Sequence, residues 1–130
     1  MPQPSRSLDP VPTAPRVAPD SLHLARAIAH AAESRQGENL LVLDIAKISS
    51  FADYFVLISG DNERHVKAIF DAIEEEALKL GVKPHGVEGV SDSRWILVDF
   101  IDVVVHIFLR DLRAYYNLDR IWADAPEVSL

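Results

Sequence analysis

The run Val103-Val-Val-His-Ile-Phe-Leu109 constrains the fold of this chain more than any other segment. Successive side chains of a strand point to opposite faces. Val103, Val105 and Ile107 therefore share one face, and Val104 and Phe108 the other. A strand that is apolar on both faces must be covered on both, which places it in the middle of a sheet. Trp95–Phe100 is a second strand, and the two form an antiparallel pair that turns at Asp102. Further strands must flank the central one. The short β-branched runs Leu40-Leu-Val-Leu-Asp-Ile45 and Asp53-Tyr-Phe-Val-Leu-Ile-Ser59 supply them.

Helical spacing appears on either side of those runs. Asp20 or Ser21 caps a first helix carrying Leu24, Ile28, Ala31 and Arg35, which Gly37 stops. Asp61 or Asn62 caps a second, with Val66, Ile69, Phe70, Ile73, Ala77 and Leu80 in one stripe and Gly81 and Pro84 at its end. Lys67–Asp71 and Glu75–Lys79 stand four residues apart on its outer face and are expected to pair. A short strand is expected near His85–Val87. Leu112, Tyr115 or Tyr116, Asp119 and Trp122 follow helical steps at the end. The sequence thus predicts a single α/β domain over residues 20–125, a mixed sheet flanked by helices in the order α-β-β-α-β-β-α. A proline-rich disordered tail (1–19) precedes it and a C-terminal tail (126–130) follows.

Composition narrows the function. A chain of 130 residues that is 48% hydrophobic can bury a core without disulfides or a structural metal. Without cysteine there is no thiolate nucleophile and no Cys-based metal site, and a reducing cytoplasm is the natural compartment. The five histidines show no metal-ligand spacing, so no metal is expected. No apolar run approaches the roughly 20 residues of a membrane span, and the first residues lack the apolar core of a signal peptide. The net charge is −7, while Arg6 and Arg16 balance Asp9 and Asp20 in the first twenty residues. The excess acid belongs to the folded part. Such a domain is repelled by phosphate backbones, which excludes DNA, allows little RNA contact, and favours a basic protein partner.

Few residues invite catalysis. Asp99 and Asp102 could hold Mg²⁺ between neighbouring strands, or Asp99 could end a strand and Asp102 make a turn. No serine lies in a nucleophile elbow, no Gly-rich phosphate cradle is present, and no cofactor or enzyme activity is expected. His106 is a lone polar residue in an apolar strand, either a core histidine bonded to a neighbour or a surface reader. Trp95, Tyr115, Tyr116 and Trp122 serve as core or as interface anchors.

Asp53-Tyr-Phe-Val56, Ser59-Gly60, Arg64-His65-Val66, Gly86-Val-Glu-Gly89, Trp95-Ile-Leu-Val-Asp99, Asp102-Val-Val-Val-His106, Arg113-Ala-Tyr-Tyr-Asn-Leu118 and Trp122-Ala-Asp-Ala125 together resemble the ribosomal silencing factor family, also called Iojap. The resemblance implies a nucleotidyltransferase-like fold and a repressor that binds the large ribosomal subunit. It would dock on the fourteenth large-subunit protein, at the intersubunit face, and exclude the small subunit sterically. It raises the surface-reading share of His106, since the family has a Val-His pair there. Trp95, His106, Arg113 and Tyr116 are then the partner-binding candidates, with the acidic Glu88, Asp99 and Asp102 facing basic side chains of the partner. Ile101 stands where the family generally has Gly, and a wider turn is expected because a β-branched residue resists positive φ. The rival readings are a metal-dependent nucleotidyl or phosphoryl transferase of similar fold and a homodimeric adaptor using the Trp95–Leu109 surface.

Overall fold

Cap chemistry opens the first described helix. Asp20 accepts the His23 N–H at 2.8 Å and opens helix α1, Ser21–Ser34. A computed structural model describes residues 20–50, 52–117, 120 and 123–130, without the side chains of Tyr115 and Tyr116. The expected tail 1–19 and Trp122 lie outside the described residues.

Helix α1 buries Leu24, Ala25, Ile28, Ala29 and Ala32. Its end departs from expectation: Gln36, not Gly37, takes the left-handed position, with φ 61°. The Gln36 N–H donates to the Glu33 carbonyl and the Gly37 N–H to the Ala32 carbonyl, both at 2.9 Å, which is the double bond of a Schellman end. Gly37 serves a different need. A Cβ there would stand 2.6 Å from the Ile58 side chain, so only glycine lets the chain pass that close to the sheet. Helix α2, Glu63–Lys79, is capped by Asn62, which accepts the His65 N–H at 2.9 Å, and ends with Gly81 at φ 76°. Lys67 and Asp71 pair at 2.9 Å. Glu75 and Lys79 do not; among the described residues no ion pair joins them, and both line the groove between α1 and α2.

The strands are β1 Glu38–Asp44, β2 Tyr54–Gly60, β3 Gly86–Glu88, β4 Trp95–Asp99 and β5 Val103–Leu109. They form one sheet in the order β1-β2-β5-β4-β3, with β5 in the middle, parallel to β2 and antiparallel to β4. The doubly apolar run therefore sits where its burial requires. Val103, Val105 and Ile107 join Val42, Val56, Ile58, Ile96 and Val98 beneath α1 and α2. Val104 and Phe108 face the other way with Leu43, Ile45, Phe55 and Leu57. Both long helices lie on the first face. Helix α3, Arg110–Tyr116, and the C-terminal residues cover part of the second, and α3 ends at Asn117 with φ 50°.

Residues 126–130, expected to trail outside the domain, are tied to it. The Asp44 N–H donates to the Pro126 carbonyl and the Val128 N–H to the Val42 carbonyl, and Leu43 pairs with Glu127. This short segment covers the outer edge of β1, an edge that would otherwise offer unpaired backbone groups. Among the described residues no helix is long and apolar enough to cross a membrane.

The β4–β5 turn is also tighter than expected. Ile101 adopts φ 76°, and the Asp102 N–H donates back to the Phe100 carbonyl at 3.0 Å. An i to i+2 bond across a residue of positive φ is the strained form of γ-turn. The surroundings enforce it. Asp99 accepts the Ile101 N–H at 2.7 Å, and the Asp102 carbonyl accepts the Asp53 and Tyr54 N–H groups at 2.8 and 3.1 Å, fastening the turn to the start of β2. Ile101 is 58% exposed, so its side chain gains little burial in return. Replacing Ile101 by glycine removes strain of about 1–3 kcal/mol and adds about 0.5–1 kcal/mol of unfolded-state entropy. Ile101→Gly is therefore expected to raise stability by about 1 kcal/mol, read as a higher midpoint in thermal or urea unfolding; an unchanged or lower midpoint would show that the turn is unstrained.

Candidate functional site

Strand register gathers the sequence candidates on one face. His106 stands opposite Leu97 of β4 and Leu57 of β2, and Leu97 stands opposite Glu88 of β3. Trp95 pairs with Phe108, and Asp99 with Val104 and Gly86. Opposed residues in a ladder point the same way. Glu88, Trp95, Leu97, Asp99 and His106 therefore all project from the second face, the side away from α1 and α2. Toward β1 and β2 that face is closed by Ala125 and the C-terminal segment. Toward β4 and β3 it is open: Trp95 is 38% exposed, Glu88 is exposed and Leu97 half-buried.

His106 is the chemical centre of this patch. Its ring stacks with Phe108 at 5.9 Å and tilts against Phe55 at 4.9 Å. The Trp95 indole N–H donates to His106 Nδ1 at 3.3 Å. An indole nitrogen can only donate, so Nδ1 accepts and the proton of the neutral ring is on Nε2. That Nε2–H is buried and, among the described residues, has no hydrogen-bond partner. A buried unsatisfied donor costs about 1–3 kcal/mol. Burial also disfavours the charged ring and brings its pKa down to about 4.

Arg113 holds the neighbouring corner from within. Only 6% exposed, it donates from Nη1 to Ser59 Oγ at 3.0 Å, and its guanidinium lies 5.9 Å from the Phe108 ring centre. In this arrangement it is a packing residue that fixes α3 to β2 and β5, not an exposed anchor. Tyr116 ends the same helix, and its side chain lies outside the described residues. Asp102 is exposed at the turn beside the patch. Gly89 sets the approach of the β3–β4 connection: with φ 87°, it lies so close that a Cβ would fall 2.0 Å from the Trp95 carbonyl.

Of the two carboxylates weighed as a Mg²⁺ pair, Asp99 is engaged and Asp102 is exposed. Ser59 is fully buried beneath Arg113, and the Asp99 carboxylate caps the turn. Among the described residues no three His, Asp or Glu side chains converge as metal ligands. His65 joins helices: its Nδ1 accepts the Asp61 N–H at 2.9 Å, leaving Nε2–H to donate to the Arg35 carbonyl at 2.8 Å. Arg110 was not singled out from the sequence. It pairs with Asp61 at 2.7 Å and Glu38 at 3.0 Å, joining residues whose sequence separation hides the contact. Leu97, Phe55 and Phe108, which complete the patch around His106, are signalled in the sequence only by alternation along their strands.

The unfolded chain takes up the His106 proton near pH 6.5 and the folded chain only near 4. Above 6.5 this group leaves stability unchanged, and as pH falls from about 6.5 to about 4 it removes about 3 kcal/mol. His106→Phe keeps an aromatic ring beside Phe55 and Phe108 and removes both the orphaned donor and the titration. Urea unfolding from pH 4 to 7 should show the wild type losing stability relative to the variant as pH falls; parallel pH profiles would contradict a buried neutral ring.

Comparison with known proteins adds an independent finding. The model of the family described as "Ribosomal silencing factor during starvation" matches residues 18–130. The chain is 42% identical over 102 residues to ribosomal silencing factor RsfS of Bacillus subtilis, covering 78% of this chain and 86% of that one. A crystal structure of a Bacillus halodurans protein superposes with a TM-score of 0.75 at 34% identity, over 85% of this chain and all of that one. A mouse protein named "Mitochondrial assembly of ribosomal large subunit protein 1" is 30% identical over 87 residues, 65% of this chain and 38% of its own length.

Proposed function

The chain belongs to the ribosomal silencing factor family, and from that premise we propose that it represses translation by binding the large ribosomal subunit and sterically preventing the small subunit from joining. It acts in the cytoplasm by occupancy, and no bond is made or broken. The observation that carries this reading is the bare patch on the second sheet face, where Trp95 and Leu97 surround a histidine whose donor has no partner. A face half closed by the chain's own α3 and C-terminal segment, and half open beside an aromatic residue, suits a protein interface with an apolar centre.

The partner on this reading is a basic large-subunit protein at the intersubunit face, the fourteenth. Glu88 and Asp99 project from the same face as Trp95, and Asp102 stands exposed at the turn beside it. With a net charge of −7, these carboxylates favour cationic side chains over RNA phosphates and speed encounter more than they strengthen the complex. Trp95 is the central anchor, and Tyr116, at the end of α3, a second. His106 orients the Trp95 indole through its Nδ1, and Arg113 acts indirectly by holding Ser59 and Phe108 in place. An interface of roughly 1,600 Å² in total would suffice for specific binding.

Sedimentation of ribosomal subunits with the added protein tests the reading. The protein should travel with free large subunits and reduce subunit joining; migration with the small subunit, or undiminished joining at saturating protein, would overturn it. Trp95→Ala should weaken large-subunit binding by about 2 kcal/mol, a hot-spot magnitude, with the circular dichroism unchanged. Arg113→Ala should instead lower folding stability by about 3 kcal/mol, because it opens a void and leaves the buried Ser59 hydroxyl unpaired. If Trp95→Ala unfolds the protein while binding per folded molecule is unaltered, the interface lies elsewhere.

A further inference from the structure

A second docking feature lies away from the Trp95 face, at the opposite edge of the sheet from the C-terminal segment. Strand β3 has β4 on one side and, among the described residues, no strand on the other. Between its outer edge and the C-terminal half of α2 runs a groove of about 630 Å³, floored by Leu78, Val82, Pro84 and Val87. Leu78 is 60% and Val87 36% exposed, so the floor is apolar and open to solvent. The α2 wall carries Asp71, Glu74 and Glu75, and Lys83 is the cation among the described lining residues.

We propose that this groove binds an extended, cationic segment of a protein partner, which adds to β3 as a further strand. An unpaired edge supplies backbone donors and acceptors to an incoming strand, and alternate side chains of that strand then fall on one side of the sheet. Apolar ones would meet Leu78, Val82 and Val87 in the groove. Those on the other side would pass Glu88, which projects from the opposite face, so cations are favoured there too. The acidic wall decides the sign of the partner's charge. A second copy of this chain would bring the same carboxylates and its own excess of seven negative charges, and a nucleic-acid strand would bring phosphates.

The test is binding of a fluorescent peptide of alternating lysine and valine to the full chain, read by anisotropy, with backbone amide shifts locating the site. Saturable binding with the largest shifts at residues 86–88 is expected, together with much weaker binding of an alternating glutamate and valine peptide. Val87→Lys should place a cation on the groove floor without disturbing the fold, because Val87 is 36% exposed at the sheet edge and stands on the α2 side opposite Val98. That variant, and separately the double reversal Glu74→Lys with Glu75→Lys, should each raise Kd roughly tenfold or more. No saturable binding, equal binding of the acidic peptide, or a Val87→Lys variant that binds as the wild type would overturn the proposal. Concentration-dependent shifts at 86–88 without any peptide would overturn it as well, by showing that a second copy is the occupant.

Discussion

Burial of β5 on both faces is the constraint on which the rest of the structure depends. Val103, Val105 and Ile107 require a cover on one side, and Val104 and Phe108 on the other. Two long helices meet the first requirement. The short α3 and a few residues of C-terminal backbone meet only part of the second. The asymmetry follows from connectivity, because α1 and α2 both cross the same side of the sheet.

His106 shows the energetic consequence. A valine or phenylalanine in its place would complete the second-face core with no orphaned donor. Instead a neutral imidazole keeps its Nδ1 on the Trp95 indole and leaves its Nε2–H unsatisfied in an apolar setting. The residues around it are ordered by other means: Gly89 brings the β3–β4 connection against the Trp95 backbone, and Arg113 braces Phe108 from behind. Sites where local energetics are less than optimal commonly coincide with function. The strained turn at Ile101, next to the same patch, is a second instance of local strain held by its surroundings.

Several readings from sequence failed for an identifiable reason. The sequence points to Gly37 as the stop of α1, but Gln36 adopts the left-handed conformation and Gly37 is needed for steric room against Ile58. A β-branched Ile101 predicts a wider turn; the Asp99 carboxylate, accepting the Ile101 N–H, and the Asp102 carbonyl, accepting N–H groups of Asp53 and Tyr54, hold it tight. Residues 126–130 looked like a tail, since nothing local announces that Val128 will pair with Val42. Arg113 has the composition of an interface anchor, and only packing reveals it beneath the surface. In each case propensity described the residue correctly, and a contact distant in sequence overrode it.

The sequence by itself determined the element types, one cap at Asp20 or Ser21 and another at Asp61 or Asn62, the central place of β5, and the acidic balance that disfavours phosphate backbones. These follow from period, cap chemistry and net charge, which are local or additive properties. The two motif pieces that carry Trp95 and His106 were likewise visible in it. Only the tertiary structure decided which side of the sheet the helices occupy, that Glu88, Trp95, Leu97, Asp99 and His106 share the opposite side, and that the outer edge of β3 stays open while that of β1 is covered. Strand order and register set those outcomes, and both arise from pairings between segments far apart in the chain, where no local pattern specifies the partner.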